Sequence, residues 1–153
     1  FRSGSKEALQ LATIEAARKR YVAAVFDPAM KAASGWPRLE ALCALTLAYV
    51  ETPEFPGGCF FVAAQAGARA ASPAVREAVL DNKKQFRLLV ERTIEAARAA
   101  GEVHEDIDAA QIAYELVAVL DAASWSVLTL LREADVVHAR RAVEEILARV
   151  KAT

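Results

Sequence analysis

The longest periodic stretch in the chain, Ser72 to Ala100, constrains everything around it. Ser72 can offer its hydroxyl to first-turn N–H groups, and Pro73 stands at the first helical position, where a missing N–H costs nothing. Positions then recur every three or four residues: Val75, Val79, Asn82, Phe86, Leu89, Thr93, Ala96 and Ala100. That spacing predicts one α-helix about 42 Å long, broadened by Val90, Ile94 and Ala97 and stopped at Gly101. In a chain of 153 residues, such a helix must be the spine that the others pack against. Asn82 and Thr93 pose a separate question. A polar side chain on a core stripe needs a partner, a water or a ligand.

The remaining sequence reads as five further helices and no strand, an all-α, six-helix, bundle-like domain. Ser5 is expected to cap a helix to Phe26, with Leu11, Ile14, Tyr21 and Val25 inward and Leu9, Ala12, Ala16 and Phe26 beside them. Asp27 to Pro37 reads as a loop punctuated by Pro28, Gly35 and Pro37. The second helix runs to Val50, with Leu39, Leu42, Cys43, Thr46, Tyr49 and Val50 inward. Thr52 to Gly58 holds two prolines and two glycines and cannot continue a helix. Cys59 to Arg69 is a short helix without charge before its last residue, expected to be buried on most sides. After the spine and a loop from Gly101 to Ile107, Asp108 to Leu131 opens like a capping box with Gln111. Its apolar residues fall on two stripes, one with Ile112 and Leu116, the other with Tyr114, Val117 and Trp125. Asp135 to Val150 closes the chain with heptad-like steps.

Charge and chemistry narrow the function. With 19 basic and 20 acidic residues the net charge is -1, which gives no bulk field for nucleic acid. Arg18, Lys19 and Arg20 read as a solvated face, because no aromatic residues interleave with them. No uncharged run reaches membrane-spanning length, and two cysteines make no disulfide framework, so a cytoplasmic setting is expected. His104, Glu105 and Asp106 are consecutive and do not converge as ligands; His138 is remote, so no metal is expected. Gly57-Gly58 lacks the Lys and Ser/Thr of a phosphate loop, and no nucleophile–base pairing is legible. The expectation is a protein that is not an enzyme and carries no cofactor. Cys59 stands at a helix N-terminus, but Phe60 and Phe61 beside it favour a buried core thiol.

Three stretches carry a resemblance. Phe-Pro-Gly-Gly-Cys-Phe-Phe (Phe55 to Phe61) resembles a connector in the C-terminal domain of TetR-type transcriptional regulators. So does Gly101-Glu102-Val103, followed by Asp108 and the Ala-rich helix bearing Trp125. Phe1 with Ser5-Lys6-Glu7-Ala8-Leu9 is similar to the segment that leaves that family's DNA-recognition helix. The family's first three helices are absent, and Ser3-Gly4 lengthens the opening. The resemblance implies residues 1–4 as a remnant of the link to a missing helix-turn-helix head, and residues 5–153 as an effector-binding and dimerisation domain. It implies a ligand-relieved repressor that meets operator DNA only through the missing head. Lys6 then reads either as a DNA phosphate contact or as a surface lysine. The rival reading is a stand-alone helical dimerisation or adaptor domain without a ligand.

Two sites follow from residue placement. The last two helices are apolar beyond the needs of one core, which predicts a homodimer through a four-helix bundle. Ala122, Ala123, Ala139 and Ala142 would allow close approach there, with Val143, Ile146 and Val150 in the seam. Asn82, Gln65 and Asp121 are polar where only core is expected, which predicts a pocket for a small, mostly apolar organic effector. Phe60, Phe86, Tyr114 and Trp125 are its expected walls, and its ligand is expected to be neutral or weakly cationic. For Asp121 the pocket and the dimer seam both remain open.

Overall fold

The spine forms as its ends dictate. In the computed structural model, which describes residues 3–52, 59–130 and 134–153, the Ser72 hydroxyl accepts from the Val75 N–H at 3.4 Å. At the other end Gly101 takes φ +71, so the Glu102 N–H reaches the Ala97 carbonyl (2.9 Å) and the Gly101 N–H the Arg98 carbonyl (3.0 Å). Those two bonds satisfy carbonyls that a helix end leaves open, in the Schellman arrangement. Between them, Pro73–Ala99 buries Val75, Val79, Asn82, Phe86, Val90, Thr93, Ile94 and Ala97. The stripe thus drifts from the expected Leu89, Ala96 and Ala100 toward Val90, Ile94 and Ala97. A straight helix turns 3.6 residues per turn, and over this length a seven-residue step falls behind it.

We number the α-helices α1 (Ser3–Tyr21), α2 (Asp27–Met30), α3 (Trp36–Glu51), α4 (Phe60–Gly67), α5 (Pro73–Ala99, the spine), α6 (Ala109–Trp125) and α7 (Asp135–Val150). A π-helical turn, Val22–Phe26, joins α1 to α2 without a break, so these make six rods as expected, with no named strand among the described residues. The spine packs against α1, α3, α4 and α6; α7 lies on α6 and α3. Every inward residue predicted for α3 is buried.

Several boundaries differ from expectation. Helix α1 already runs from Ser3, so Ser5 lies inside it rather than at its start. The helix also passes the predicted stop at Phe26, because Pro28 falls in the first turn of α2, where it is tolerated. Leu9, Ala12 and Ala16 are exposed rather than inward. Helix α4 is less buried than its lack of charge suggested: only Phe61 is buried within it, and Ala63 and Ala66 face out. Small alanines cost little in water, so an uncharged helix need not be enclosed. Asp108 caps α6 through the Gln111 N–H (3.1 Å), but the Gln111 side chain turns forward to Glu115 (3.0 Å), leaving the capping box half made. The end of α6 continues as a π-helical turn, Ser126–Leu130. The expected connector at residues 53–58, with Phe55, lies outside the described residues, as do Phe1 and Leu131.

One glycine locks the bundle to its own C-terminal edge. Gly35 (φ +88) precedes α3, whose Trp36 N–H donates to Glu102 Oε2 at 2.8 Å. A Cβ on Gly35 would lie 2.2 Å from that oxygen. The same loop binds the chain's end, through His104 N–H to Val150 O and Ala152 N–H to Glu102 O, each 3.0 Å.

Candidate functional site

Beside the spine, the core is aromatic and centred on Tyr21. Its ring meets Tyr49, Phe26, Phe86 and Phe61 edge-on at centroid distances of 5.1, 5.4, 6.2 and 6.3 Å. The π-helical turn swings Phe26 flat onto Phe86, with centroids 6.0 Å apart. Edge-to-face packing of this kind adds to area burial. Burial pushes the Tyr21 hydroxyl well above the ordinary phenol range, although the Thr46 hydroxyl beside it pulls the other way. Thr46 itself donates to the Leu42 carbonyl at 2.7 Å.

This cluster does not fill the space between α3, α4, α5 and α6. A cavity of about 40 Å³ remains, with Gln65, Asn82, Phe86 and Asp121 on its walls together with Tyr21, Thr46, Cys59 and Lys83. By the requirement for one water molecule it has room for two or three. Three polar residues flagged by the sequence, from three different helices, therefore share one chamber. Asn82 is 7% exposed, whereas the fully buried side-chain atoms without a hydrogen-bond partner among the described residues are Trp36 Nε1 and Arg38 Nε.

Asp121 faces this chamber, where its carboxylate pairs with the Lys83 ammonium. Sequence reasoning missed Lys83, which directly follows Asn82 on the spine. A residue next to an inward position sits about 100° round the helix, so a long side chain there can bend back to the boundary. Burial lowers the Lys83 ammonium to about 8; a charged Cys59 would oppose this and Arg87 adds to it. Cys59 closes the chamber at the N-terminus of α4, its thiol raised chiefly by burial and pulled back by the Val62 and Phe61 N–H groups.

Three expected wall residues lie elsewhere. Trp125 is 44% exposed and lines an outer cleft of about 410 Å³ with Val62, Gln65, Ala66 and Asp121. Val62, Gln65 and Asp121 border both spaces, so the outer cleft adjoins the chamber. Phe60 points the other way, into an apolar groove of about 360 Å³ between α1, α4 and α5. Tyr114 is 56% exposed, its ring 5.4 Å from the Arg87 guanidinium carbon, and lines neither space. All three sit on helices whose broad apolar faces leave periodicity unable to choose which side turns in.

The residues assigned to a dimer seam divide likewise. Ala123, Ala139, Val143 and Val150 are buried inside this single chain, so they belong to its own core. Ala142 and Ile146 are half-buried, and Ala122 is exposed. Among the residues that α6 and α7 leave outward are Tyr114, Ala118, Ala122, Trp125 and Val137. Lys6 is exposed on α1. Among the described residues no three His, Cys, Asp or Glu side chains group as a metal site, and no helix is long and apolar enough to cross a membrane.

No curated protein matches the chain in sequence. In structure it is similar to a TetR transcriptional regulator from Chloroflexus aurantiacus J-10-FL, with a TM-score of 0.86 at 22% identity over 99% of this chain and 77% of that one. That likeness shows a shared all-α fold. Residues 35–143 match the family described as the tetracyclin repressor-like C-terminal domain, a span that includes α3 to α6, every chamber residue but Tyr21, and the start of α7. This chain therefore belongs to the tetracyclin repressor-like C-terminal domain family, one of transcription regulators rather than enzymes.

Proposed function

We propose that this chain is the effector-binding and dimerisation part of a ligand-relieved repressor, with operator reading left to a separate N-terminal helix-turn-helix head. The carrying observation is Asn82: a polar residue on the spine's core stripe, 7% exposed, facing a chamber that Gln65 and Asp121 also face. A stability-optimised core would place an apolar residue there, whereas a binding site keeps such groups for its ligand. The chamber takes a small head group, and the outer cleft takes the body of the molecule. Occupancy wedges α4 and α6 against the spine and shifts the population between two head spacings in a dimer. The dimer is built on the outward stripe of α6, Tyr114, Ala118 and Ala122, with Val137 of α7. In this reading Lys6, exposed on α1, serves as a DNA phosphate contact.

Thermal-shift measurement against a panel of small aromatic molecules tests the effector assignment. A ligand at one hundred times its Kd should add about 2.7 kcal/mol to stability. We expect at least one compound to stabilise the chain and to lose that effect in Asn82→Leu. Hits that are indifferent to Asn82→Leu would move the site elsewhere, and a panel with no hit at millimolar concentration would favour the adaptor reading.

A further inference from the structure

The two charged residues of the chamber are not equally replaceable. Lys83 lines only the inner chamber, and its side chain is 26% exposed. Asp121 borders the outer cleft as well, and its side chain is 40% exposed. Asp121, which borders both spaces, is therefore the shallower partner and reaches water more readily than Lys83. Around the pair the balance of charge is positive, because Arg87 stands near enough to disfavour the charged form of Lys83. The hydroxyls of Thr46 and Ser124 already donate to the carbonyls of Leu42 and Leu120, at 2.7 and 3.1 Å. The Asn82 amide on the chamber wall has two N–H donors to offer. A ligand cation would have to evict the deeper partner. An anion has only to displace the shallower one.

We propose that the effector is a flat, apolar molecule ending in a carboxylate or similar anionic head, which passes the Val62–Gln65–Trp125 cleft and takes the Lys83 ammonium from Asp121. The assignment rests on the effector reading above and gives that site its ligand class. It replaces the neutral or weakly cationic ligand expected from Asp121 alone, because Lys83 neutralises that carboxylate. The head receives one charge-assisted hydrogen bond from Lys83 and a neutral one from Asn82, a pairing that a buried anion needs. The apolar body stays in the outer cleft against Trp125. Binding itself then breaks the link from α5 to α6 and frees Asp121, so recognition and the change of shape are one event.

Three probes of one skeleton test this: 1-naphthoate, 1-naphthamide and 1-naphthylmethylamine, titrated by isothermal calorimetry into the chain and two variants. The naphthoate should bind at least tenfold tighter than the amide and the amine. That advantage should vanish in Lys83→Met and grow several-fold in Asp121→Asn, which removes the internal competitor and keeps the shape. Equal affinity of acid and amide, or tighter binding of the amine, overturns the anionic assignment while leaving the effector site standing. A naphthoate preference unchanged in both variants overturns it too, because the anion is then held elsewhere. Failure of all three probes to bind at millimolar concentration counts against the ligand class and the effector site together.

Discussion

At the scale of residues, Asn82 and Lys83 set polar groups against the core, where folding alone gains little. Replacing Asn82 by Leu exchanges a nearly buried amide for apolar atoms on the chamber wall. Stability should rise by about 1 kcal/mol, read as a higher urea midpoint with an unchanged m-value. A loss of several kcal/mol would mean that the amide is satisfied in solution. Lys83 gives a pH signature. Its ammonium is lowered from 10.5 to about 8 by burial, with Arg87 opposing the charge and Asp121 paired to it. Between those values the unfolded chain holds more protons on Lys83 than the folded one, so its contribution makes stability rise with pH from about 8 to 10.5. Cys43, raised by burial from 9.0 to about 12, acts in the opposite sense above pH 9. The stability difference between Lys83→Met and the parent chain isolates the lysine. That gap should be widest near pH 7 and should narrow from pH 8 to 10.5; a gap independent of pH would show a fully solvated ammonium.

At the scale of elements, the ends of the spine were legible because their chemistry is local. Ser72, Pro73 and Gly101 act through their own backbone neighbourhood, and each does what its residue type predicts. Gly101→Ala should cost about 1–2 kcal/mol by denaturant unfolding, the penalty of a left-handed conformation with a Cβ. The α3 core was legible too, since a single apolar stripe has one way to face inward. Helix α6 was not. With apolar residues on most of its circumference, its period alone could not tell Tyr114 and Trp125, which face out, from Ile112 and Leu116, which face in. The chamber was half legible for the same reason. Polar residues on apolar stripes marked Asn82, Gln65 and Asp121 correctly as neighbours, while the aromatic walls had to be chosen among many candidates. Lys83 carried no local signal, because its role depends on a carboxylate that is 38 residues further along the chain.

At the scale of the whole molecule, burial separates what holds one chain together from what the proposed dimer would use. Val143 is 3% exposed and Val137 is 67% exposed, on the same helix. Val143→Glu should therefore unfold the chain, burying a charge with nothing to pair it. Val137→Glu should instead leave the circular dichroism spectrum intact and shift light scattering from dimer to monomer. A dimer that persists in Val137→Glu would place the interface elsewhere. The most direct test of the chamber as the binding site is the side-chain amide NMR of Asn82 and Gln65 during a naphthoate titration. Both amides should shift together and saturate with the calorimetric affinity. Saturable binding that leaves them still, with shifts confined to the groove of Leu9 and Phe60 or to the outer face of α6, would contradict the site.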